Sequence, residues 1–490
     1  MTPFPLVVRA AFAGLPDEAS HIATRPPSWA ATFTPRDHQG ALDPNRTIVI
    51  GDRGTGKSFW SSVLVDAAMR GRVARQYKRL ELDRVTSALG YSSAAITDRH
   101  PAADEIARIA TDETRTDALW RAILLRNAPS PPKGMPAGRL GWQAATEWVL
   151  TDNALRNREF LELDEWLVSQ RLTYLLVFDG LDLLASRWSD IRARVRGLLR
   201  LALAVRSLRA VRTKLFLRPD MIRDPEVWGV GDASKLRHNE VELRWRRRDL
   251  YGLLWTLLAN APEGGGEFRD HLTGDGGGPF ALEDDSWRPT GAITEDEVKQ
   301  EAIFHALAGP WMGGGPRRGN TFTWVPNHLA DAALSAAPRS FLLAMRDAAH
   351  NAKSEQLVLD RTGIEQGVRI ASKVRVGELQ EDYRWMPEVL SALQGLTIPL
   401  DRASLIGRWQ EREVLEKLHM LAKAQDSDQR FIPPGRVFDR PTETAAYEEL
   451  IAVMIQLRIC FELSDGRINM PDLFRLEAKI KRRGGMRPVA

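Results

Sequence analysis

Hydrophobic and polar positions change period sharply near residue 50. Thr47-Ile48-Val49-Ile50 is a continuous apolar run, Gly51 to Ser58 is a glycine-rich loop, and Phe59, Val63 and Leu64 then recur at helical spacing to about Ala68. The next runs with β character are Leu172 to Phe178 and Lys214 to Leu217. Between Ala68 and Leu172 the periodicity is helical, broken by the loop Pro129 to Pro136, so the pattern predicts an α/β core with helical insertions. From about Asp232 it predicts a mainly helical lid, with helices over Arg247 to Ala259, Glu295 to Leu307 and Arg339 to Ala352. Gly264 to Gly266 and Gly274 to Gly278 read as a flexible surface insertion, and Gly309 to Gly319 as a break. Helices follow near Met386 to Leu396 and Gln410 to Lys423, then a Pro433-Pro434-Gly435 break and a helix over Glu443 to Leu457. Ile459 to Leu463, the turn Ser464-Asp465-Gly466 and Arg467 to Met470 complete a winged-helix ending. The expected fold is α/β: a P-loop NTPase core with a parallel sheet, then a helical lid and a C-terminal winged-helix domain. The expected segments are 1–45 as an irregular, proline-punctuated lead-in, 46–230 as the α/β domain, 231–375 as the lid and 376–490 as the winged helix with a basic tail.

Composition narrows this reading. A chain of 490 residues with 43% hydrophobic and 27% charged content is ordinary globular protein, long enough for two to four domains. One cysteine, Cys460, excludes an internal disulfide and points to a reducing compartment. No apolar stretch reaches membrane-spanning length, and Arg9 interrupts the N-terminal apolar segment, so the expectation is a cytoplasmic protein without a membrane partner. The net charge of +4 does not by itself demand nucleic acid. Two local runs are dense, Arg244 to Arg248 and the tail from Arg475 through Lys481, Arg482 and Arg483 to Arg487. Such runs read as solvated helix faces, with phosphate contact as the alternative.

The candidate chemistry sits on the phosphate loop. Gly51, Asp52, Arg53, Gly54, Thr55, Gly56, Lys57 and Ser58, followed by Phe59, have the G-x-x-x-x-G-K-S spacing. In that spacing backbone N–H groups turn inward on a nucleotide's phosphates, the lysine reaches the β/γ-phosphates and the serine hydroxyl ligates Mg²⁺. Asp179 ends the apolar run Tyr174 to Phe178, where a buried parallel strand delivers a carboxylate to the sheet's carboxyl edge, and is the second expected Mg²⁺ ligand. Asp182 is the candidate for orienting the attacking water, with a helix N-cap as its alternative role. Arg218 ends the Lys214 to Leu217 run. If that strand lies between the P-loop strand and the Asp179 strand, Arg218 emerges beside the γ-phosphate.

The Gly51–Ser58 loop, the Phe178-Asp179-Gly180-Leu181-Asp182 string and the Phe216-Leu217-Arg218-Pro219 string together resemble the Walker A, Walker B and sensor 1 elements of STAND ATPases, the NACHT-type group within the AAA+-like P-loop NTPases. The chain departs from the NACHT pattern at Leu183, which stands where that group commonly has a glutamate; this leaves Asp182 as the local candidate for water activation and implies slow hydrolysis. Ala337-Pro338-Arg339-Ser340-Phe341 resembles the sensor 2 arginine at the start of an AAA+ lid helix, which implies that Arg339 reaches the γ-phosphate. The resemblance implies an ATP- and Mg²⁺-dependent switch, a homo-oligomer formed on ATP binding, and a separately encoded effector protein in a bacterial conflict or anti-phage system, because no nuclease, protease, TIR or repeat segment is visible. Arg317-Arg318, in a Gly/Pro loop, is a candidate arginine finger. The absence of an Asn-Lys-x-Asp motif favours adenine over guanine. A DNA-acting AAA+ protein of initiator or loader type, gripping DNA with its winged helix and basic tail, is the alternative, and a nucleotide-dependent scaffold with little turnover is a third.

Overall fold

The computed structural model describes residues 3–16, 26–93, 98–136, 141–151, 153–272, 278–424 and 436–483. Gly274 to Gly277, Pro433-Pro434-Gly435 and Arg487 lie outside the described residues. Five parallel strands form the central sheet: β1 (Ile48–Ile50), β2 (Val85–Tyr91), β3 (Thr173–Phe178), β4 (Val211–Leu217) and β5 (Val241–Glu242), in the order β2-β3-β4-β1-β5. β4 lies between β1 and β3, with Phe216 beside Val49 and Leu215 beside Phe178, so all three motif-bearing strands end at one edge.

Alternation along these strands explains why the sheet needs cover on both faces. Val49, Leu175, Val177 and Phe216 join the cluster built on Trp60, Val63 and Leu64 of the P-loop helix Lys57–Val65. Ile48, Leu176, Phe178 and Leu215 face the opposite layer, built on Trp120 of helix Glu113–Arg126 and Leu198 of helix Trp188–Val205. Two strands escape the sequence pattern. β2 reads Val-Thr-Ser-Ala-Leu-Gly-Tyr, and its Ser87 and Gly90 break an apolar run in a region read as helical. Gly90 is required there, because a Cβ would lie 2.6 Å from the Phe178 ring. β5 is a two-residue edge strand and lies beyond residue 230, so the sheet extends past the expected end of the α/β segment.

Of the first 45 residues, the described ones are more regular than expected. Helix Phe4–Ala13 buries Val8, Ala11 and Phe12, and the Arg9 side chain donates to the carbonyls of Leu357 (2.7 Å) and Val358 (3.0 Å). The glycine-rich insertion is also corrected. Gly265 starts helix Gly265–Leu272, whose Phe268 stacks on Trp255 with ring centroids 5.7 Å apart, and a hairpin of Phe280–Glu283 with Ser286–Pro289 follows. Asp284 and Asp285 both take positive φ, the geometry of a two-residue turn that follows the strands' right-handed twist.

The lid closes over the sheet's carboxyl edge with two long helices, Pro338–Asn351 and Arg361–Asp382. Gly363 and Gly367 let them touch: a Cβ at either would meet Ala348 O or Ala344 O at 2.3 and 2.2 Å. Arg361–Asp382 runs through residue 375, the expected end of the lid. The winged helix follows, with helices Arg402–Glu411, Val414–Lys423 and Glu443–Gln456 and a hairpin of Phe461–Glu462 with Ile468–Asn469. The single helix expected over Gln410 to Lys423 is therefore two, parted where Glu413 takes a φ of 52°. Among the described residues no helix is long and apolar enough to cross a membrane.

Candidate nucleotide-binding site

The loop after β1 is built around its glycines. Gly54 and Gly56 have φ of 81° and 101°, which side chains rarely tolerate, and a Cβ on Gly51 would sit 2.5 Å from Thr55 Oγ1. Thr55 donates its hydroxyl to Asp52 O (2.8 Å). Lys57 Nζ lies across the loop mouth, donating to Gly51 O (2.7 Å) and Asp52 O (2.9 Å). Burial pushes the Lys57 ammonium down, and the carboxylates of Asp182 and Asp179 oppose that. A second support was not legible in the loop itself: Trp245, just beyond β5, donates its indole N–H to Thr55 O (2.9 Å). Trp245 is set in turn by buried His38. Because Trp60 donates to His38 Nδ1 (3.0 Å), the ring proton sits on Nε2 and is donated to Arg244 O (3.0 Å).

Asp179 is 1% exposed at the end of β3, and among the described residues neither carboxylate oxygen has a hydrogen bond of full geometry, although the Ser58 hydroxyl and the Gly180 N–H lie near enough to favour its charge. Burial pushes its carboxyl up, opposed by the nearby Ser58 hydroxyl and then by Lys57. A carboxylate so placed costs several kcal/mol unless a cation meets it. Ser58 and Asp179 therefore fit Mg²⁺, which needs few protein oxygens when phosphates and water supply the rest. No cluster of three or more His, Cys, Asp or Glu suited to a metal occurs among the described residues, so this pair is not part of an all-protein cage.

Four arginines, Arg53, Arg218, Arg339 and Arg346, line the cleft; carboxylates from other segments engage the first three, and Arg346 reaches its neighbour Asp347 at 3.9 Å. Arg218 is buried and pairs with Asp182 (3.2 Å), Asp220 (3.2 Å) and Asp382 (2.9 Å), and donates to the Tyr383 hydroxyl (3.0 Å). Burial disfavours its charge, but these neighbours outweigh it and hold the guanidinium well above its ordinary range. Arg339, in the first turn of the Pro338–Asn351 helix, packs on Gly54 and pairs with Glu378 (2.7 Å). Arg53 pairs with Glu381 (3.1 Å) and reaches Asp382 at 3.8 Å. Glu378, Glu381 and Asp382 all belong to the last turns of helix Arg361–Asp382. From the winged-helix segment, Arg458 adds a further tie, contacting Asp52 (3.4 Å), Asp331 (3.5 Å) and Glu242.

These groups enclose a cleft of about 500 Å³, in the size range of small-ligand sites. Its polar lining includes Lys57, Ser58, Asp179, Asp182, Arg218 and Arg339, and its apolar lining includes Phe33, Trp245, Leu253, Leu257, Leu342 and Leu343. Of the expected loop residues, Arg53, Gly54, Gly56, Lys57, Ser58 and Phe59 line it, whereas Asp52 faces Arg458 and Gly51 and Thr55 brace the loop from within. Arg317 and Arg318 are exposed on a short turn, Pro316–Arg318, and do not line the cleft. Sequence reasoning missed Glu378, Glu381, Asp382, Tyr383, Trp245 and Arg458. A signal for the first three existed in Asp360, which caps Gly363 N at 2.8 Å, followed by Ile364, Val368 and Ala371 at helical spacing.

No protein-family model matches the chain, and no curated protein sequence matches it. Among solved structures it is similar to the Walker-type ATPase Paby2304 of Pyrococcus abyssi, at 12% identity and a TM-score of 0.39 over 93% of this chain and 98% of that one. It is likewise similar to the Aeropyrum pernix ORC2 protein in its ADPNP-ADP complexes, at 13% identity and a TM-score of 0.39 over 96% of each chain. The Aeropyrum pernix ORC1 protein in complex with DNA matches at 14% identity and a TM-score of 0.34 over 96% of this chain and 95% of that one. At such TM-scores these likenesses add nothing to what the cleft's own residues carry.

Proposed function

We propose that the protein binds ATP with Mg²⁺, hydrolyses it slowly, and uses nucleotide state as a switch over self-association or a separately encoded effector. The observation that carries the nucleotide reading is the buried Asp179 carboxylate, without a hydrogen bond of full geometry among the described residues, beside Ser58 and Lys57, at the mouth of a glycine loop and in a cleft with polar and apolar lining. The apolar lining suits adenine. Bound Mg²⁺ would neutralise charge building on the β- and γ-oxygens. On this reading Lys57 turns from the loop carbonyls to the phosphates, and Asp182 orients water. Arg218 and Arg339 exchange their carboxylate partners for the γ-phosphate, where a preset cation stabilises developing charge.

The switch reading is supported by the end of helix Arg361–Asp382, whose Glu378, Glu381 and Asp382 occupy the arginines that phosphate would claim. A γ-phosphate would compete for those arginines and free the helix end. Tyr383 and Trp385, the buried residues that follow, lead into the winged helix. Light scattering tests this with Mg²⁺ and ADP or a non-hydrolysable ATP analogue, beside Lys57→Ala. Assembly with the analogue alone, abolished in the variant, is the expected result; unchanged nucleotide binding and assembly in Lys57→Ala would overturn it. Action in an anti-phage system belongs to the same proposal and is tested by plaque counts in cells carrying the gene and its neighbours, with Lys57→Ala expected to remove protection.

A DNA-acting role is the second reading, favoured by the exposed Lys481 and Arg483 at the end of the winged helix. Arg482, between them, is committed to Asp472 at 3.2 Å and belongs to the fold. Salt-sensitive duplex binding that weakens in Lys481→Ala/Arg483→Ala would support this reading, and indifference would remove it.

A further inference from the structure

We propose that the amino edge of the sheet, opposite the nucleotide cleft, carries a second anion site that takes a small ligand bearing two or more phosphate groups. A groove of about 440 Å³ opens there, lined by the first residues of β2 and β3, Val85 and Thr173, and by Ala210, which precedes β4. None of its lining residues lines the nucleotide cleft. Three connections contribute four arginines: Arg79 and Arg84 from the two turns Lys78–Leu80 and Leu82–Arg84 that lead into β2, Arg171 after helix Asn153–Gln170, and Arg209 just before β4.

The local charges do not cancel. Among the described residues Arg79 and Arg171 are exposed and make no ion pair or side-chain hydrogen bond. Arg84 reaches Glu81 at 3.5 Å in an exposed pair worth at most ~1 kcal/mol. Arg209 reaches Asp164 at 3.4 Å, but that carboxylate already accepts from the backbone N–H groups of Arg209 (3.1 Å) and Ala210 (2.6 Å). Asp43, the other lining acid, is engaged by Asn45 N at 2.9 Å. Two guanidinium groups are thus uncommitted and two are weakly held, a set that calls for at least two negative charges; guanidinium forks match phosphate oxygens in pairs.

The groove is held in shape. Lys214, fully buried in β4, donates to Asp43 O (2.6 Å) and Arg46 O (2.5 Å), and Arg212 donates to Asn45 Oδ1 (2.9 Å), so the wall Asp43-Pro44-Asn45 is tied to the sheet from beneath. Its volume suits a small molecule. Leu80, Val168 and Leu172 give it an apolar side, and no aromatic residue lines it, so a single strand of nucleic acid would find no stacking platform.

Calorimetry with inorganic tripolyphosphate tests this on the Lys57→Ala protein, in which the nucleotide cleft does not compete. Saturable binding at one site per chain is expected, weakened at least tenfold by Arg79→Ala/Arg171→Ala and less by Arg79→Lys/Arg171→Lys. The alanine pair, placed in the otherwise unaltered protein, should leave binding of the ATP analogue at the cleft unchanged. Tripolyphosphate affinity equal in the alanine pair and its parent would overturn the proposal. So would binding of an oligonucleotide, but not of tripolyphosphate, that depends on the two arginines, which would make the edge a nucleic-acid surface.

Discussion

The two edges of the sheet are both rich in arginine and treat it in opposite ways. At the carboxyl edge Arg53, Arg218 and Arg339 are each held by a carboxylate from one lid-helix end, while Asp179, the carboxylate on the sheet itself, makes no ion pair and no hydrogen bond of full geometry among the described residues. At the amino edge Arg79 and Arg171 stand bare, and the buried cation Lys214 is satisfied by carbonyls alone. Burial is the cause of the difference for Arg218; the Arg53 and Arg339 side chains are 39% and 32% exposed and are held because the lid-helix end docks beside them. Arg218 is 7% exposed, so its charge must be compensated within the protein, whereas solvent compensates an exposed guanidinium. A ligand at the carboxyl edge therefore has to displace something, and displacement couples binding to movement. A ligand at the amino edge would displace water and at most the loose Arg84–Glu81 and Arg209–Asp164 pairs, none of which involves the lid.

The largest expected effect tests whether the edges are independent. Lys57→Ala should weaken ATP-analogue binding at least a thousandfold, ~4 kcal/mol, because a cation preset beside buried carboxylates is lost. Titration of a fluorescent analogue measures this, and the same variant should fold and keep the amino-edge groove. The next effect is on stability, about 3 kcal/mol, and belongs to the carboxyl edge alone. Burial holds His38 down at about 4 against an ordinary value near 6.5, with the Arg244 carbonyl and Asp37 opposing. A folded-state value below the unfolded one means that this stability is present above pH ~6.5 and is lost as pH falls toward ~4. Denaturant melts between pH 7 and pH 4 should show that slope, flattened in His38→Gln; an equal slope in the variant would place the acid sensitivity elsewhere.

Legibility in the sequence followed the same division. The P-loop, the Asp179 strand and the Arg218 strand were readable because each is a short-range pattern: a glycine spacing, or an apolar run ending in a charge. The position of β4 between β1 and β3, a long-range fact, entered the reading only as the condition for Arg218 to reach the γ-phosphate, and the sheet order meets that condition. The compensating partners were not readable, because they are defined by pairing between segments 39 to 328 residues apart. Glu378, Glu381 and Asp382 read as an ordinary polar helix end until the helix docks on Arg53 and Arg218. The helix itself was obscured by Gly363 and Gly367, whose low helix propensity masks their real task of letting two helices touch. β2 was lost for a similar reason, since Gly90 is there for the Phe178 ring and not for the strand.

A smaller effect should appear where the two edges differ most directly. Asp382→Asn removes the 2.9 Å partner of Arg218 and leaves Asp182 and Asp220 in place, so the guanidinium stays compensated while the lid's hold on it weakens. If phosphate competes with that carboxylate, the ATP analogue should bind about five- to tenfold more tightly, ~1 kcal/mol, because less must be displaced. Weaker binding would mean that Asp382 helps to build the site. The matching control at the amino edge, Glu81→Gln, releases an exposed pair and should leave the cleft's affinity unchanged.

The smallest effect isolates one hydrogen bond. Trp245→Phe keeps an aromatic ring at the apolar wall but deletes the indole N–H that meets Thr55 O at 2.9 Å. A single neutral hydrogen bond contributes on the order of 1 kcal/mol, so ATP-analogue affinity should fall about three- to fivefold. The loss should come from the phosphate end, because Thr55 belongs to the loop whose N–H groups would surround the phosphates. Tripolyphosphate, which has no base to touch the apolar wall, discriminates here. Its affinity for the cleft, measured with Arg79→Ala/Arg171→Ala silencing the opposite edge, should fall by the same factor in Trp245→Phe. A loss confined to the nucleotide would instead assign Trp245 to the base, and the loop's shape would then be held by Gly54, Gly56 and the Thr55 hydroxyl without help from β5.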